Sequence, residues 1–370
     1  ISNTTTAPIK VLDAKKVILT LADNTTNTIT DSSRLSAEED YSAAIYSKED
    51  LIINGNGTLN VNAGYRNGIK STDDCIIVSG TLNITSTEDG IIGKDLCGIV
   101  AGDININAGS DGIKSTYDTD TTKGNVIIEG GNITIKASND GIQAENILVI
   151  NDGTINIKTN NGAADTTQTH IDNMDMGRGG FGFNNNKTTT TTDDTSESRK
   201  GIKAGNMLII NDGDITIDSD DDSVHCNSEI YIYGGTINAA TGDDGVHADD
   251  LLTVNGGTIN ITQCYEGIEA DDIVINDGDI SVVSSDDGIN SSDGSITING
   301  GNLLINASGD GLDANGSIII NGGYIVVLGP TSDGDTAIDY DDSCTINGGT
   351  VMAFGSSGML EIPKGASNGA

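Results

Sequence analysis

The sequence has no tryptophan, only three proline and three phenylalanine residues, and 3% aromatic residues overall. Without tryptophan, we do not expect a flat aromatic platform for stacking against sugar rings. So few bulky side chains favour a thin, layered core over one large globular centre. No stretch approaches the roughly 20 apolar residues that a membrane span requires, so we expect no span.

Basic residues are also scarce. The chain has 18 Lys and Arg against 55 Asp and Glu, a formal net charge of −37. Such a surface repels nucleic acid and anionic membranes, which we therefore exclude as partners. A chain this acidic could be disordered, but its Ile and Val recur too regularly for that. We expect a folded, monomeric protein.

An apolar residue that typically follows an acidic-glycine turn recurs along the chain. Eight of the eleven intervals between these anchor residues are 21 to 24 residues long. A second signal runs in phase with the first: an alternating strand, a glycine turn and another alternating strand, as in residues 254–261. The anchors are Ile45, Ile69, Ile91, Ile113, Ile142, Ile202, Val224, Val246, Ile268, Ile289, Leu312 and Ile338.

Each repeat is thus predicted to hold three short strands with apolar residues at every second position. A unit this small cannot bury its own apolar face, whereas parallel stacking of units creates one continuous core. A β-propeller would need blades of about 40 residues and usually an aromatic signature. The sequence therefore predicts an all-β fold, a single right-handed parallel β-helix (solenoid) of about 12 coils, which forms one domain over residues 1–370.

Two segments stand outside the repeat. The 60-residue interval between Ile142 and Ile202 holds one full coil and a loop insertion at about residues 163–200. This insertion is either a mobile surface loop or a flap that covers bound ligand. Residues 1–8, which are rich in Ser, Thr and Asn, are interpreted as a linker left after processing or trimming.

Equivalent residues on successive coils should stack into ladders at about 4.8 Å spacing. Five asparagines precede glycine-containing turns in successive coils and predict an amide hydrogen-bond ladder: Asn255, Asn276, Asn299, Asn321 and Asn347. Cys75 and Cys97 are 22 residues apart, which predicts stacked buried thiols. A disulfide or a metal site is the alternative for this pair.

Acidic residues recur two positions before the anchors. They form a predicted ladder of Asn67, Asp89, Asp111, Asp140, Asp222, Asp244, Glu266, Asp287 and Asp310. Carboxylates spaced at about 4.8 Å repel one another, and 18 basic residues cannot neutralise most of them. Solvation and turn formation are one explanation, since Asp and Asn favour tight turns.

Calcium is the alternative that we favour, because it takes 6–8 hard oxygen ligands from carboxylates and carbonyls. The C-terminal half is richest in such ligands, and we expect two or more Ca²⁺ ions there. The predicted ligands are Asp222, Asp243, Asp244, Glu266, Glu269, Asp286, Asp287, Asp310 and Asp313. His225 and His247 share one position on neighbouring coils and, with Asp222 or Asp244, could instead bind a transition metal.

Lysines follow the anchors in the N-terminal half, at Lys70, Lys114 and Lys203. A lysine beside metal-bound carboxylates could have a lowered pKa and act as a general base. Alternatively, each lysine simply neutralises a neighbouring carboxylate such as Asp89 or Asp111.

The acidic-Gly-Ile turn, alternating with Ile-Asn-Gly-Gly-Thr-Ile-Asn-Ile strand pairs, resembles a clostridial family of carbohydrate-binding domain proteins. The resemblance covers about residues 45–354 outside the insertion. It implies a polysaccharide-lyase-like, pectate-lyase-like β-helix that is secreted to the cell surface and binds calcium and plant cell-wall polysaccharide. Calcium-dependent pectate lyases of this fold use Asp pairs on one coil with an acid on the next. Asp243 and Asp244 with Asp222, and Asp286 and Asp287 with Glu266, match that pattern.

The lyases also need a Lys or Arg base beside the metal. The coils richest in Asp carry His225, His247, Glu269 and Asn290 at that position. We therefore predict no catalytic residues and a protein that binds without efficient turnover.

The combined prediction is a secreted or cell-surface protein that binds calcium and plant cell-wall polysaccharide. Pectin or polygalacturonate is the first candidate, because bound calcium can bridge protein and sugar carboxylates, and cellulose is the second. For neutral glycans the available stacking residues are Tyr231, Tyr233, Tyr265, Tyr324 and Tyr340. The alternatives are a calcium-dependent pectate-type lyase and a structural surface stalk or adhesin.

Overall fold

The computed structural model describes residues 1–32, 41–164, 198–332 and 334–364. Each coil of the chain contributes strands to three parallel faces, which we name the anchor sheet, the second sheet and the third sheet in chain order. Every anchor residue up to Leu312 lies on a strand of the anchor sheet, and Ile338 forms an isolated parallel bridge to Leu312.

The third sheet shows the link from sequence to structure most clearly. In Asn132–Ala137, Ile133 and Ile135 are buried and the intervening side chains are exposed. Because successive side chains of a strand point to opposite faces, the alternation buries one face and exposes the other. The strands of the third sheet are Ser2–Asn3, Thr26–Asp31, Thr58–Ala63, Thr81–Ser86, Asp103–Ala108, Asn132–Ala137, Thr154–Thr159, Asp214–Ser219, Thr236–Thr241, Thr258–Cys264, Asp279–Ser284, Asn302–Asn306, Tyr324–Leu328 and Thr350–Phe354.

The other two sheets consist of shorter strands. Separate anchor-sheet strands are Ile9–Val11, Ala43–Ser47, Asn67–Ser71, Ile91–Gly93, Ile113–Lys114, Ile142–Ala144, Ile202–Ala204, Val224–Cys226, Ile289–Ser291 and Leu312–Ala314. Separate second-sheet strands are Val17–Leu21, Leu51–Gly55, Asp74–Ile77, Leu96–Ile99, Asn125–Ile128, Ile147–Ile150, Met207–Ile210, Glu229–Ile232, Ile296–Ile298, Ser317–Ile320 and Ser343–Ile346.

Two coils depart from the predicted set of three separate strands. In Val246–Val254 and Ile268–Ile275 the anchor strand continues into the second strand, which joins the two sheets into one of 23 strands. The preceding coils have Asn-Ser or Gly-Asn at this corner, whereas both merged strands have Asp-Asp.

Every strand pairing among the described residues is parallel and joins equivalent positions of successive coils. Ile84 pairs with Ile106, and Ile106 pairs in turn with Ile135. This arrangement confirms the parallel β-helix of about twelve coils and excludes a propeller, whose blades are antiparallel. The structure adds one coil that the anchor pattern missed, because Ile9 pairs with Ile45.

The main core runs along the axis from Leu21 to Cys344, and a small second cluster contains Ala7, Ala43 and Tyr46. The rungs of the main core are stacked Ile, Leu and Val side chains, most of them fully buried. Burial of each such side chain contributes roughly 1.5–3 kcal/mol relative to its exposure. Stability is therefore distributed along the coils, as in other stacked-repeat proteins.

Both predicted ladders are present. Asn276 donates to Asn255 at 2.9 Å, and Asn299 donates to Asn276 at 2.8 Å. The same side-chain bonds continue through Asn321 to Asn347. Cys75 and Cys97 are register partners with free, fully buried thiols, which confirms stacked cysteines rather than a disulfide.

The predicted loop insertion at residues 163–200 falls almost wholly outside the described residues. Its described edges are the 3₁₀ turn Gly162–Ala164 and residues 198–200. At the second edge the Ser198 hydroxyl and the Lys200 amide both donate to Asp140 Oδ1 at 2.8 Å. None of the described segments forms a helix of the length and apolar character that crossing a bilayer requires.

Candidate functional site

Two columns of side chains run along the β-helix beside the anchor sheet. The turn column contains the residues two positions before the anchors from Ile69 onward: Asn67, Asp89, Asp111, Asp140, Lys200, Asp222, Asp244, Glu266, Asp287, Asp310 and Thr336. The slot column contains the residues one position after the same anchors: Lys70, Ile92, Lys114, Gln143, Lys203, His225, His247, Glu269, Asn290, Asp313 and Asp339. Along the axis, the slot column changes from lysine through histidine to carboxylate.

The turn column is a hydrogen-bond ladder. In most coils with an aspartate at this position, one carboxylate oxygen accepts the backbone N–H of the equivalent residue on the next coil, and Asn67 does the same with its amide oxygen. The Asp140 amide donates to Asp111 Oδ1 at 3.0 Å, and the Asp244 amide donates to Asp222 Oδ1 at 3.1 Å. The Glu266 amide continues the pattern onto Asp244 Oδ1 at 3.1 Å. This bonding satisfies backbone donors that would otherwise be buried without a partner, so the carboxylates have a structural role whether or not they bind metal.

Glycine precedes most anchors because the coils approach closely at this turn. A Cβ atom on Gly112 would lie 2.5 Å from the Gly141 carbonyl oxygen of the next coil. Only a residue without a side chain permits that approach, which brings turn-column carboxylates of successive coils close together.

The sequence reasoning missed Lys200, which takes the place of an acid in the turn column. Its Nζ atom lies 2.6 Å from Asp222 Oδ2 and 3.0 Å from Asp221 Oδ1. Burial disfavours the charge on Lys200, but the two carboxylates outweigh it and raise the pKa of the lysine. Burial likewise opposes ionisation of Asp222, yet Lys200 holds the pKa of that carboxyl well below its usual value. The sequence repeat places Lys200 in the turn column, since it is two residues before the anchor Ile202.

The nine predicted metal ligands fall into groups. Asp222 and Asp243 meet with Asp221, with ligand atoms within 4.8 Å of one another, and Lys200 is beside them. Asp244 and Glu269 form a second group with His247. Burial, the nearby Glu269 and Asp244 raise the pKa of Glu266, which lies next to this group, to about 9.

The third group, Asp287, Asp310 and Asp313, consists of carboxylates alone, with ligand atoms within 4.8 Å of one another. Burial and repulsion from Asp286 raise the pKa of Asp287 to about 8. Burial and repulsion from Asp310 raise that of Asp313 to about 7. Among the described residues, no Lys or Arg forms an ion pair with any of the three. We name this group the C-terminal carboxylate group.

Asp286 borders the C-terminal carboxylate group. A Cβ atom built on Gly309 would lie 2.4 Å from Asp287 Oδ1 and 2.5 Å from Asp286 Oδ1. The two carboxylates therefore converge over this glycine. The sequence pattern had paired Asp286 and Asp287 with Glu266, whereas the structure brings the ligand atoms of Asp287 to Asp310 and Asp313 on the next coil.

A further acidic group lies away from both columns. Asp50, Asp73 and Asp74 occupy the corners between the anchor and second sheets, with ligand atoms within 4.8 Å of one another. The sequence analysis missed it because it followed only positions next to the anchors. Lys16 Nζ lies 3.6 Å from Asp50 and partly neutralises the group.

The slot-column lysines differ in their surroundings. Lys114 Nζ lies 2.6 Å from Asp111 Oδ2, which supports its interpretation as a neutralising residue. Burial lowers the pKa of Lys70, whose Nζ donates to Ser42 Oγ at 3.4 Å. Lys70 is nevertheless many coils from the C-terminal carboxylate group, so the two cannot act on one bond of a substrate.

Aromatic side chains lie on another face. Tyr231, on the second-sheet strand Glu229–Ile232, and Tyr233, directly after that strand, stack with ring centroids 6.5 Å apart and planes at 16°. Tyr233 is 52% exposed. The pair offers a small stacking surface for a sugar ring, separate from the turn and slot columns.

Comparison with known proteins gives matches along most of the chain. The family model for "Carbohydrate-binding domain-containing protein" matches residues 1–245 and 243–356. A protein of that description from Acetivibrio thermocellus is 40% identical over 88 residues, which cover 23% of this chain and 31% of the relative. A solved structure described as the polysaccharide lyase-like protein from C. thermocellum, in a gadolinium derivative, is 36% identical. That match covers 43% of this chain and 66% of the other, with a TM-score of 0.42.

The chain thus spans about a third of the length of the curated relative. The family assignment depends on the two family-model matches, which together extend over far more than half of the residues. This chain belongs to the family of carbohydrate-binding domain-containing proteins.

Proposed function

We propose that this protein binds acidic plant cell-wall polysaccharide, with polygalacturonate as the principal ligand, through calcium held by the C-terminal carboxylate group. The observation that carries the proposal is the meeting of Asp287, Asp310 and Asp313 without a basic side chain beside them among the described residues. The family membership indicates a carbohydrate ligand. The carboxylates of the group indicate a bound cation.

The donors fit calcium. All three side chains offer hard carboxylate oxygens, which are the ligands that Ca²⁺ prefers, and Asp286 adds a fourth at the edge of the group. Burial and mutual repulsion raise the pKa values of Asp287 and Asp313. A bound divalent cation would remove this repulsion, because it interacts favourably with each ionised carboxylate.

The remaining predicted ligands are less suited to the same ion. His247 lies among Asp222, Asp244 and Glu269, and an imidazole nitrogen is not a ligand that calcium prefers. We therefore place the first calcium ion at the C-terminal carboxylate group. Two or more ions per chain remain the number that we propose, with Glu266 as a further ligand candidate.

Calcium also explains how an acidic protein could bind an acidic polymer. A net charge of −37 repels polygalacturonate. Calcium with coordination positions left open by the protein can accept sugar carboxylates and bridge the two anions. Cellulose, which is uncharged, would bind independently of calcium, with Tyr231 and Tyr233 as the candidate stacking pair. A protein with this role acts outside the cell, and we place it in the medium or at the cell surface.

We propose binding with little or no cleavage. A lyase needs a base next to the metal-bound uronate. Asn290 and Asp313 occupy the slot column at the C-terminal carboxylate group, and Lys114 is paired with Asp111. The lowered pKa of Lys70 is the one observation that favours a lyase. Lys70, however, lies far from these carboxylates.

The test is depletion of the protein by insoluble polygalacturonate in calcium and in a calcium chelator. We expect retention in calcium and loss in chelator. Asp313→Asn should weaken retention at least about tenfold, since a calcium ligand is lost, whereas Asp118→Asn, the same change in an exposed loop, should have no effect. Equal retention with and without calcium would contradict the proposal. Growth of ultraviolet-absorbing unsaturated product, abolished by Lys70→Ala, would establish the lyase instead.

A further inference from the structure

Two histidines stack where the slot column changes from lysine to carboxylate. His225 and His247 are register partners on adjacent anchor strands, and their rings meet edge to face with centroids 4.9 Å apart. Carboxylates of Asp222, Asp244 and Glu269 surround the pair. The proposed calcium site does not use these histidines.

His225 has one ring nitrogen bonded and the other buried without a hydrogen bond. The residue is only 8% exposed. Its Nε2 atom lies 2.8 Å from Asn227 Oδ1, and an amide oxygen only accepts hydrogen bonds, so Nε2 carries a proton. The Nδ1 atom is inaccessible and has no hydrogen-bond partner, although Asp222 Oδ2 lies 2.8 Å away in unsuitable geometry. In the neutral ring the Nδ1 lone pair therefore faces a carboxylate oxygen, an arrangement that a cation would stabilise.

The Nδ1 atom of His247 lies among three carboxylate oxygens. Its distances are 3.4 Å to Asp244 Oδ2, 3.6 Å to Glu269 Oε2 and 3.7 Å to Asp222 Oδ2. These separations exceed ordinary hydrogen bonds. They are close to the roughly 3.3–3.4 Å that separates two ligand atoms of a tetrahedral ion with bonds of 2.0–2.1 Å.

Histidine ligands are normally held by a second hydrogen bond on the opposite ring nitrogen, which fixes the tautomer. In His225 this second hydrogen bond is the one from Nε2 to Asn227 Oδ1. The ligand atoms of Asp222, His225 and His247 all lie within 4.8 Å of one another. Closure around an ion would require the Asp222–His225 contact to open by about 0.5 Å, a shift within the reach of side-chain rotation.

We propose that His225, His247 and Asp222 bind one divalent transition-metal ion of the zinc class, with Asp244 or Glu269 completing the coordination. Two imidazoles and a carboxylate are a ligand set typical of zinc, and imidazole favours Zn²⁺, Ni²⁺ and Cu²⁺ over the oxygen-seeking Ca²⁺. Asp222 remains in contact with Lys200, which neutralises the surplus negative charge of the surrounding carboxylates. The site is separate from the C-terminal carboxylate group, so each chain would hold ions of two chemically different kinds.

Cobalt is the spectroscopic probe that tests this site. Metal-free protein is titrated with Co²⁺ in excess Ca²⁺, and Zn²⁺ affinity is then measured by competition. The wild-type chain should bind one Co²⁺ with the intense visible bands of a four-coordinate ion, and Zn²⁺ should displace it. His247→Gln and His225→Gln should each weaken binding by at least about a hundredfold, because loss of even an outer-shell partner costs 10–100-fold.

Asp313→Asn is the matched control, since it alters the proposed calcium site and should leave Co²⁺ binding unchanged. His247 is partly exposed, so its variant decides the question if His225→Gln fails to fold. The proposal is overturned if Ca²⁺ displaces Co²⁺, if the bound ion shows only the weak bands of an all-oxygen octahedral site, or if folded His247→Gln binds like the wild type. Each of these outcomes is independent of polygalacturonate binding.

Discussion

Lys200 Nζ lies 2.6 Å from Asp222 Oδ2 on the next coil, and the side chain of Asp222 is only 2% exposed. The lysine occupies a turn-column position that carboxylates occupy in the neighbouring coils. This pair therefore interrupts the acidic ladder with a cation. It also separates the lysine-bearing coils from those with histidine and carboxylate.

Removal of this lysine should destabilise the fold. Lys200→Met leaves Asp222 buried without its cation, and breaking a buried ion pair by removal of one partner costs about 3–5 kcal/mol. The measurement is urea unfolding in metal-free buffer, followed by circular dichroism. Lys136→Met, a change on an exposed face of the third sheet, should stay within about 0.5 kcal/mol of the wild type. Equal unfolding midpoints for the two variants would show that Asp222 does not depend on Lys200.

Stability of the metal-free protein should fall as pH rises. Burial and neighbouring carboxylates raise the pKa of Glu266 from 4.5 to about 9, and those of Asp287 and Asp313 from 3.8 to about 8 and 7. The folded state therefore binds more protons than the unfolded state between these values. The stabilising contribution of these three groups is complete below their unfolded-state pKa values and is lost as pH rises through their folded-state pKa values.

Thermal melting tests this direction of the pH dependence of stability. The melting temperature in chelator should be higher near pH 5 than near pH 9. Asp222, whose pKa is lowered, titrates below this window and does not offset the trend. The variant Asp287→Asn should show a smaller decrease, since it lacks one of the titrating groups. A melting temperature that increases steadily between the two pH values would contradict the assigned pKa directions.

The asparagine ladder should contribute measurable stability at the surface. Asn299 both donates to Asn276 and accepts from Asn321, each at 2.8 Å. Replacement with Ala removes both bonds and should cost about 1–2 kcal/mol. Asn347 makes one such bond, to Asn321, so Asn347→Ala should cost about half as much. Urea unfolding of both variants gives the comparison, and equal losses of stability would show that the two bonds of Asn299 do not each contribute.

Much of the fold could be predicted because the repeat is almost uninterrupted. The spacing of anchors such as Ile202 and Val224 identified the coil, its core face and the residues that stack. The same spacing correctly predicted that His225 and His247 are neighbours on adjacent coils. Side chains that extend straight outward from a regular strand follow the register of the backbone, so sequence spacing determines their neighbours.

Other features depended on geometry that spacing does not contain. Lys200 breaks the acidic pattern of the turn column, so that pattern did not predict it, although its place two residues before Ile202 follows from the repeat. The merged strand Val246–Val254 contains Asp249 and Asp250, and because Asp favours turns, the local sequence did not predict a continuous strand. At Asp111, one carboxylate oxygen accepts the backbone N–H of Asp140 and the other contacts Lys114, a division that residue spacing alone does not predict.

Calcium titration of the metal-free protein tests the central claim most directly. Isothermal calorimetry should detect saturable Ca²⁺ binding to the wild type, with one equivalent lost in Asp313→Asn and none lost in Asp118→Asn. The melting temperature should rise with free calcium as mass action requires, since the ion binds the folded state. Wild-type protein that binds no calcium, or an Asp313→Asn variant with undiminished stoichiometry and affinity, would contradict calcium binding at the C-terminal carboxylate group.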